Sequence, residues 1–370
     1  MTRRPITYSK NVFLPVTNVC RNRCAYCGFR RPADRQDAFL MTEEEADAVL
    51  KQGVAAGCTE AMFAFGEYPE EDPLFKENFS PRLKEAGFKT VIEYTAHLCR
   101  RALEHGLLPH VNGGVLSFED LKMLAPLNAG MGLMLETTAN IPAHKDCPGK
   151  APAARLEMIE RAGQLKIPFT TGLLAGIGET RADWAASLHE IKKLHEKYGH
   201  IQEIILQNYT PNSGQLPLSD LTVTASPTVS QNPTVSQNPT AASSPTIAPS
   251  LPIRLIPPPK ADMIDLILLA KNILPPDIVI QAPPNLISPA ELIHFGVTDL
   301  GGISPVTIDY INPDAAWPEI DALEKTVQKC GCDFKERLPV YPKYIKAGWG
   351  GKETLALIRE LSDENGYRKK

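Results

Sequence analysis

Three cysteines stand close together near the amino terminus, in Cys20-Arg-Asn-Arg-Cys24-Ala-Tyr-Cys27. Three thiolates suit a cubane 4Fe-4S cluster with one iron left free of protein, whereas a cluster used only for structure or electron transfer normally has four protein ligands. The open iron is a place for a reacting molecule, as the open position of a catalytic zinc is. A zinc knuckle would need a fourth Cys or His nearby, and the next histidine is His97. A non-catalytic iron–sulfur or zinc module is therefore the alternative from a different class. The remaining cysteines read otherwise. Cys58 ends a predicted helix and Cys99 lies within one, as buried apolar groups. Cys330-Gly-Cys332 with Cys147 lacks a third nearby ligand, which weighs against an auxiliary cluster.

Something must hold those thiols, and the chain's apolar pattern says what. Val12–Val16 reads as a first strand, so the cysteines follow on the loop at its carboxyl end. Thr42, with Glu45 as the partner in a capping box, opens a helix to about Ala56. Further strands are predicted at Ala61–Phe65, Pro109–Val111, Gly132–Leu135, Phe169–Ala175, Ile201–Gln207, Ile278–Gln281 and Thr298–Leu300. Helices are predicted over much of Leu74–Leu107, then at Ser117–Leu124, Pro152–Leu165, Arg181–Tyr198, Lys260–Asn272, Ser288–Phe295 and Trp317–Lys329. Strand and helix alternate, which implies parallel strands joined by right-handed crossovers. About eight such units predict an α/β fold close to a complete (β/α)8 TIM-like barrel, with an open doubly wound sheet as the plainer alternative. A barrel of parallel strands carries its active site at the carboxyl ends, where the cysteine loop falls.

One stretch breaks the pattern. Residues 219–259 are rich in Pro, Ser and Thr, and Pro227-Thr-Val-Ser-Gln-Asn232 repeats as Pro233-Thr-Val-Ser-Gln-Asn238. Proline removes backbone donors and favours extended chain, so this reads as a disordered surface insertion between two barrel units. The expected division is then 1–218 for the first part of the barrel, 260–345 for the second, and 346–370 for a helical tail. A net charge of −4 argues against a nucleic-acid binder. The basic amino terminus has no apolar segment behind it, and Met263–Leu274 is interrupted by Asp265 and Lys271. Neither reads as a signal or a membrane span, so a soluble cytoplasmic protein is expected.

The cysteine spacing, with Tyr26 just before the third cysteine, resembles the radical S-adenosylmethionine superfamily. The resemblance implies a radical S-adenosylmethionine (β/α) barrel with a 4Fe-4S cluster whose free iron is chelated by S-adenosylmethionine. Reductive cleavage then gives methionine and a 5′-deoxyadenosyl radical. It also implies cosubstrate contacts. Gly66 and Glu67 match the family's Gly-Gly-Glu element, with Phe65 in place of the first glycine. Glu136 and Arg155 match residues that meet the ribose and carboxylate in biotin-synthase-like members, although Arg155 reads equally as a surface ion pair on spacing alone. Gly176-Ile177-Gly178-Glu179 matches the element beside adenine, with a plain strand-to-helix turn as the other reading.

Within that superfamily, Tyr26-Cys-Gly-Phe29, Leu206–Pro211, Gln281–Leu286, Asp299–Ser304, Asp309–Asp314 and Arg337–Pro342 resemble the G-type subunits of the deazaflavin (coenzyme Fo) synthase family. This resemblance covers the chain apart from the insertion. It implies a lyase that releases ammonia and a tyrosine-derived substrate, 5-amino-5-(4-hydroxybenzyl)-6-(D-ribitylimino)-5,6-dihydrouracil. It also implies an H-type companion subunit that uses tyrosine, and a reductant such as ferredoxin or flavodoxin. The companion's own activity, or another biotin-synthase-like reaction, is the alternative within the family. Gln207, Asn208, Gln281, Asn285, Asp299 and Asp309 fall at or near predicted carboxyl strand ends, where amides and carboxylates can read a uracil edge or ribityl hydroxyls. Tyr209, Asp299 and Asp309 are candidates for moving a proton as ammonia leaves; loop capping is the competing role for each.

Overall fold

The computed structural model describes residues 4–217 and 253–369. Most of the proline-rich repeat region, 219–252, lies outside them. β1 (Pro5–Thr17), α1 (Glu43–Ala55) and β2 (Glu60–Phe65) come first, followed by α2 (Pro73–Asn78), α3 (Ser80–Glu85) and α4 (Val91–Glu104). Then come β3 (Leu108–Asn112), α5 (Phe118–Leu124), β4 (Gly130–Gly132), α6 (Pro152–Gln164), β5 (Phe169–Ala175), α7 (Arg181–Tyr198) and β6 (Ile201–Asn208). Beyond the insertion lie α8 (Lys260–Ile273), β7 (Val279–Gln281), α9 (Pro289–Leu292), β8 (Asp299–Ile303) and α10 (Ile320–Lys329). β9 (Asp333–Arg337), α11 (Pro342–Lys346) and α12 (Leu355–Leu361) complete the described elements.

Strands β1 to β8 pair in sequence order, all parallel, and β8 and β2 both pair with β1, so the sheet closes into an eight-stranded barrel. The expected (β/α)8 fold is present. All seven residues of β5 are buried, as a parallel strand covered on both faces requires. Local chemistry sets the helix starts. Thr42 Oγ1 accepts from the Glu45 amide while the Glu45 carboxylate accepts from Thr42 N–H, and Thr180 and Asp183 repeat the arrangement before α7. Gly199, at φ 67°, stops α7 in the left-handed region.

Several boundaries differ from expectation, and β1 begins at Pro5 rather than Val12. β4 begins at Gly130 rather than Gly132, although the chain stays beside β5 as far as Glu136, whose amide donates to Gly172 O. β8 runs through Gly301 and Gly302 to Ile303 instead of stopping at Leu300. The ninth strand was not foreseen. β1 is 13 residues long. One edge of it takes β9 along Pro5–Ser9 and then β2 from Asn11 onward.

The amino-terminal end of the barrel is closed by buried charge. Arg337 of β9 pairs with Asp299 of β8 at 2.7 Å and with Glu203 of β6 at 3.2 Å. Tyr341 donates to Glu203, and Thr7 to Asp299. The opposite end is left open for a site.

Candidate active site

Loop 18–31 leaves β1 at the carboxyl end of the barrel and is tied down before it presents its thiols. Asn18 accepts from Phe39 N–H and donates to Asp37 O, and Arg31 donates to Gly28 O and Gly214 O. Gly66, at the end of β2, passes so close that a Cβ there would stand 1.9 Å from Val19 O. That close approach is the reason for glycine at this position. It brings the Glu67 amide to Cys20 Sγ at 3.2 Å, while the Arg30 amide reaches Cys27 Sγ at 3.4 Å.

The donor set fits a cluster. Cys20, Cys24 and Cys27 all line one cavity of about 330 Å3 at the carboxyl ends of the strands. Burial, and then the neighbouring Cys24, push the Cys20 thiol up to about 12 and raise Cys27 as well. Cys24 is lowered to about 7 by its hydrogen bond with Cys147 and, against burial, by Lys150 and Arg155. Three clustered thiols, one buried and two half-buried, whose charged forms repel one another are what a cationic iron core would relieve. Among the described residues no three His, Cys, Asp or Glu side chains converge as ligands of a single ion would. The three thiols share one cavity instead. Cys147 sits beside Cys24, whereas Cys330 and Cys332 precede β9 at the far end of the barrel, so these cysteines make no common site.

Glu67 is buried beside the cluster loop, with Oε1 on Arg21 at 2.7 Å and Oε2 accepting from Val115 N–H at 2.7 Å. Gly114 and Gly149 pack so closely that a Cβ at either would overlap its carboxylate. Across the cavity, Glu136 has φ 65° and meets Lys150 at 2.6 Å. Burial opposes its charge, yet Lys150 and Arg155 hold its carboxyl below the usual range. Arg155 is buried rather than on the surface, bonded to Gly149 O and Met134 O. The Tyr26 hydroxyl meets His144 Nε2 at 2.9 Å, and burial, then Lys150, push that imidazole down to about 3. Cationic and anionic groups therefore alternate around the thiols, as a zwitterionic sulfonium amino acid would require.

The other wall is apolar and amide-rich. Phe13, Met62, Leu300 and Trp317 share it with Asn11, Asn112, Gln207, Gln281 and Asn312. Of the foreseen substrate contacts, Gln207, Gln281 and Asp309 line the cavity. Asp309 Oδ1 accepts from the amides of Ile311 and Asn312, and Oδ2 from the side chains of Asn285 and Asn312. Its lone pairs are used in shaping the loop. Asn285 thus supports Asp309 from behind, and Asn208 bonds Thr210 at 3.0 Å; neither lines the cavity. Tyr209 lines it and donates to Gln215, which in turn donates to Ala25 O in the cluster loop.

One expectation is corrected by position. Asp299 is the first residue of β8, at the amino end, fully buried against Arg337 and Thr7. It belongs to the plug, far from the thiols. Ile177 is buried in one cluster with Tyr26, Leu174 and Tyr209, which line the cavity, and Gly176 precedes it at φ 99°. Both amides are held by Glu179, and Gly176 O accepts from Ile256 N–H in the segment that returns from the insertion. Reading the sequence missed Asn11, Arg30, Asn112 and Lys150. For Asn11 a signal existed, a lone amide heading an apolar strand, but the predicted strand began one residue later.

The profile of the Radical SAM superfamily matches residues 14–191. A 7,8-didemethyl-8-hydroxy-5-deazariboflavin synthase from Methanococcoides burtonii is 46% identical over 365 residues, covering 99% of this chain and 98% of that one. The protein of the same name from Methanosarcina mazei is 49% identical, with 98% and 96% covered. The one from Archaeoglobus fulgidus is 41% identical, with 98% of each covered. Among solved structures, HydG, a maturase of the [FeFe]-hydrogenase, superposes with a TM-score of 0.66 at 16% identity over 95% of this chain and 69% of that one. Methylornithine synthase (PylB) gives 0.59 at 16% identity, with 89% and 83% covered. At that identity the structures speak for the fold alone.

Proposed function

This chain belongs to the 7,8-didemethyl-8-hydroxy-5-deazariboflavin synthase family of the radical S-adenosylmethionine superfamily, and from that membership we propose that it makes this deazaflavin. The observation that carries the reading is identity of 41–49% to synthases of that name across nearly the whole of both chains. Its substrate in this reading is 5-amino-5-(4-hydroxybenzyl)-6-(D-ribitylimino)-5,6-dihydrouracil, and it is a lyase that releases ammonia. Cys20, Cys24 and Cys27 would hold the 4Fe-4S cluster, which when bound and reduced supplies a 5′-deoxyadenosyl radical from S-adenosylmethionine.

The chain's own groups orient and exclude. Glu67, fixed by Arg21 and Val115, accepts from the methionyl ammonium, and Arg155 and Lys150 face the carboxylate and ribose together with Glu136. Tyr26 closes that side of the cavity. The apolar wall of Phe13, Met62 and Leu300 keeps water from a carbon radical formed at the benzylic position, so that it cyclises instead of being quenched. Tyr209 is the candidate we retain for moving a proton as ammonia departs, because it lines the cavity with a single hydroxyl donor to Gln215. Among the described residues no helix is long and apolar enough to cross a membrane. Cytoplasmic operation, with a ferredoxin or flavodoxin as reductant and an H-type companion delivering the adduct, completes the proposal.

The test is anaerobic incubation of the reconstituted holoenzyme with S-adenosylmethionine, reductant and the purified adduct. We expect 5′-deoxyadenosine, ammonia and deazaflavin fluorescence to appear together. Fluorescence that needed tyrosine plus the ribityl-aminouracil instead of the adduct would assign the companion's reaction. Absence of 5′-deoxyadenosine from cluster-loaded protein would remove the radical reading altogether.

A further inference from the structure

Two carboxamides on the cavity wall flank a gap in β8. Asn11 comes from β1 and Gln281 from β7, and β8 runs between them. Both are buried, at 2% and 7% exposure, and both line the cavity. The gap is made by two glycines. A Cβ at Gly302 would stand 2.3 Å from Asn11 Nδ2, and one at Gly301 would stand 2.2 Å from Gln281 Nε2. Gly301 also sits at φ 76°, a conformation that disfavours any side chain there. The strand has therefore given up two side chains where two amides need room.

Asn11 has unfinished business with a ligand. Its Oδ1 is buried and has no hydrogen-bond partner among the described residues. A buried acceptor without a donor is costly, so it marks a place where something else supplies the donor. Its neighbours on the wall, Phe13, Met62 and Leu300, offer flat apolar surface. A polyol would leave its other hydroxyls against hydrocarbon there. A planar ring bearing an N–H between two carbonyls would place the ring on the apolar surface and its polar edge on the amides. A carboxamide presents an acceptor and a donor in one plane, which matches that edge two bonds at a time.

We propose that Asn11, with Gln281 across the gap, reads the imide edge of the substrate's pyrimidinedione in the recess made by Gly301 and Gly302. The assignment rests on the synthase reading and identifies which part of the cavity receives which part of the substrate. The ribityl chain and the phenol are left to the remainder of the cavity. Asn11 is on this view a specificity residue and takes no part in bond making.

A cycle between protein and ligand tests it. Wild-type holoenzyme, Asn11→Leu and Gly302→Ala are titrated with the product deazaflavin and with its N3-methyl derivative, using ligand fluorescence. The methyl group removes the one ring N–H and leaves the ribityl and phenol parts intact. Wild type should prefer the unmethylated ligand by about tenfold or more, the range for one hydrogen bond to an otherwise unpaired buried group. In Asn11→Leu, which keeps the side-chain volume, and in Gly302→Ala, which pushes the amide out of the recess, the preference should fall toward unity. Iron and sulfide content and circular dichroism report which variants fold; Gly302→Ala decides where Asn11→Leu does not accumulate. Equal binding of both ligands by wild type, or a preference that survives in a folded variant, overturns the assignment. Wild type that discriminates but cannot turn over the adduct faults the synthase reading and leaves the imide assignment standing.

Discussion

Each of the three cysteines answers to a different neighbour, yet they share one fate in the proposed site. Replacing Cys20, Cys24 or Cys27 by alanine should abolish iron and sulfide incorporation and 5′-deoxyadenosine formation, whereas Cys330→Ala at the other end of the barrel should retain both. A second residue gives a signature in pH. His200 is fully buried, with Nε2 donating to Ile159 O at 2.9 Å, and burial pushes it down to about 4. In the unfolded chain it titrates near 6.5, so below that pH the unfolded state binds a proton that the folded state refuses. Stability is therefore complete above about pH 6.5 and falls as pH drops toward 4, by a total on the order of 3 kcal/mol from this group. The thermal midpoint should decline over that window, and His200→Gln should flatten the decline. Spacing made the three thiols legible in the sequence, whereas Glu67, Glu136 and Arg155 came only with the family resemblance, because a lone charge at a turn or near a helix start reads equally as a surface ion pair. Asp299 misled for a geometric reason. The predicted strand Thr298–Leu300 stopped just after it, which put it at the end of a strand that it in fact begins.

Elements were easier to read than their limits. The bounds of β5 and α7 follow from their apolar patterns, and the capping boxes before α1 and α7 locate both starts. β9 was hidden because Asp333-Phe-Lys-Glu-Arg337 carries charges in place of an apolar run. Its pairing with β1 is a long-range fact that no local pattern encodes. Packing between elements can even reverse what propensity implies. Gly53 lies inside α1, where glycine is about 1 kcal/mol worse than alanine. Propensity alone expects Gly53→Ala to stabilise. A Cβ there would stand 2.6 Å from Val12 Cγ1, a fully buried atom on β1, and overpacking costs about 1–3 kcal/mol. The net should be a loss of up to about 2 kcal/mol. Chemical denaturation of the variant checks it, and a gain in stability would mean that α1 can ride away from β1 without strain.

At the scale of the whole molecule the two ends of the barrel divide the work, with chemistry at the carboxyl end and closure at the amino end. Arg337 is the key to the closure, since one guanidinium from β9 joins β8 to β6 through Asp299 and Glu203. All three are nearly inaccessible to water. Burial, opposed by Arg337, raises the pKa of Glu203, so the carboxylate depends on that cation. Removing one member of a buried ion pair typically costs about 3–5 kcal/mol, because the partner is left charged and dry. Arg337→Met keeps most of the volume but strands two carboxylates, and should lower the thermal midpoint by many degrees. Replacing Asp299 and Glu203 by apolar residues of similar size in the same chain should recover most of the loss, since a buried triad can be exchanged for hydrocarbon at little net cost. Cluster content and turnover per folded molecule should stay near wild type in Arg337→Met, because the thiols and the cavity wall do not include this residue. A variant of unchanged stability but impaired turnover would place Asp299 and its partner back in the chemistry and dissolve the division between the two ends.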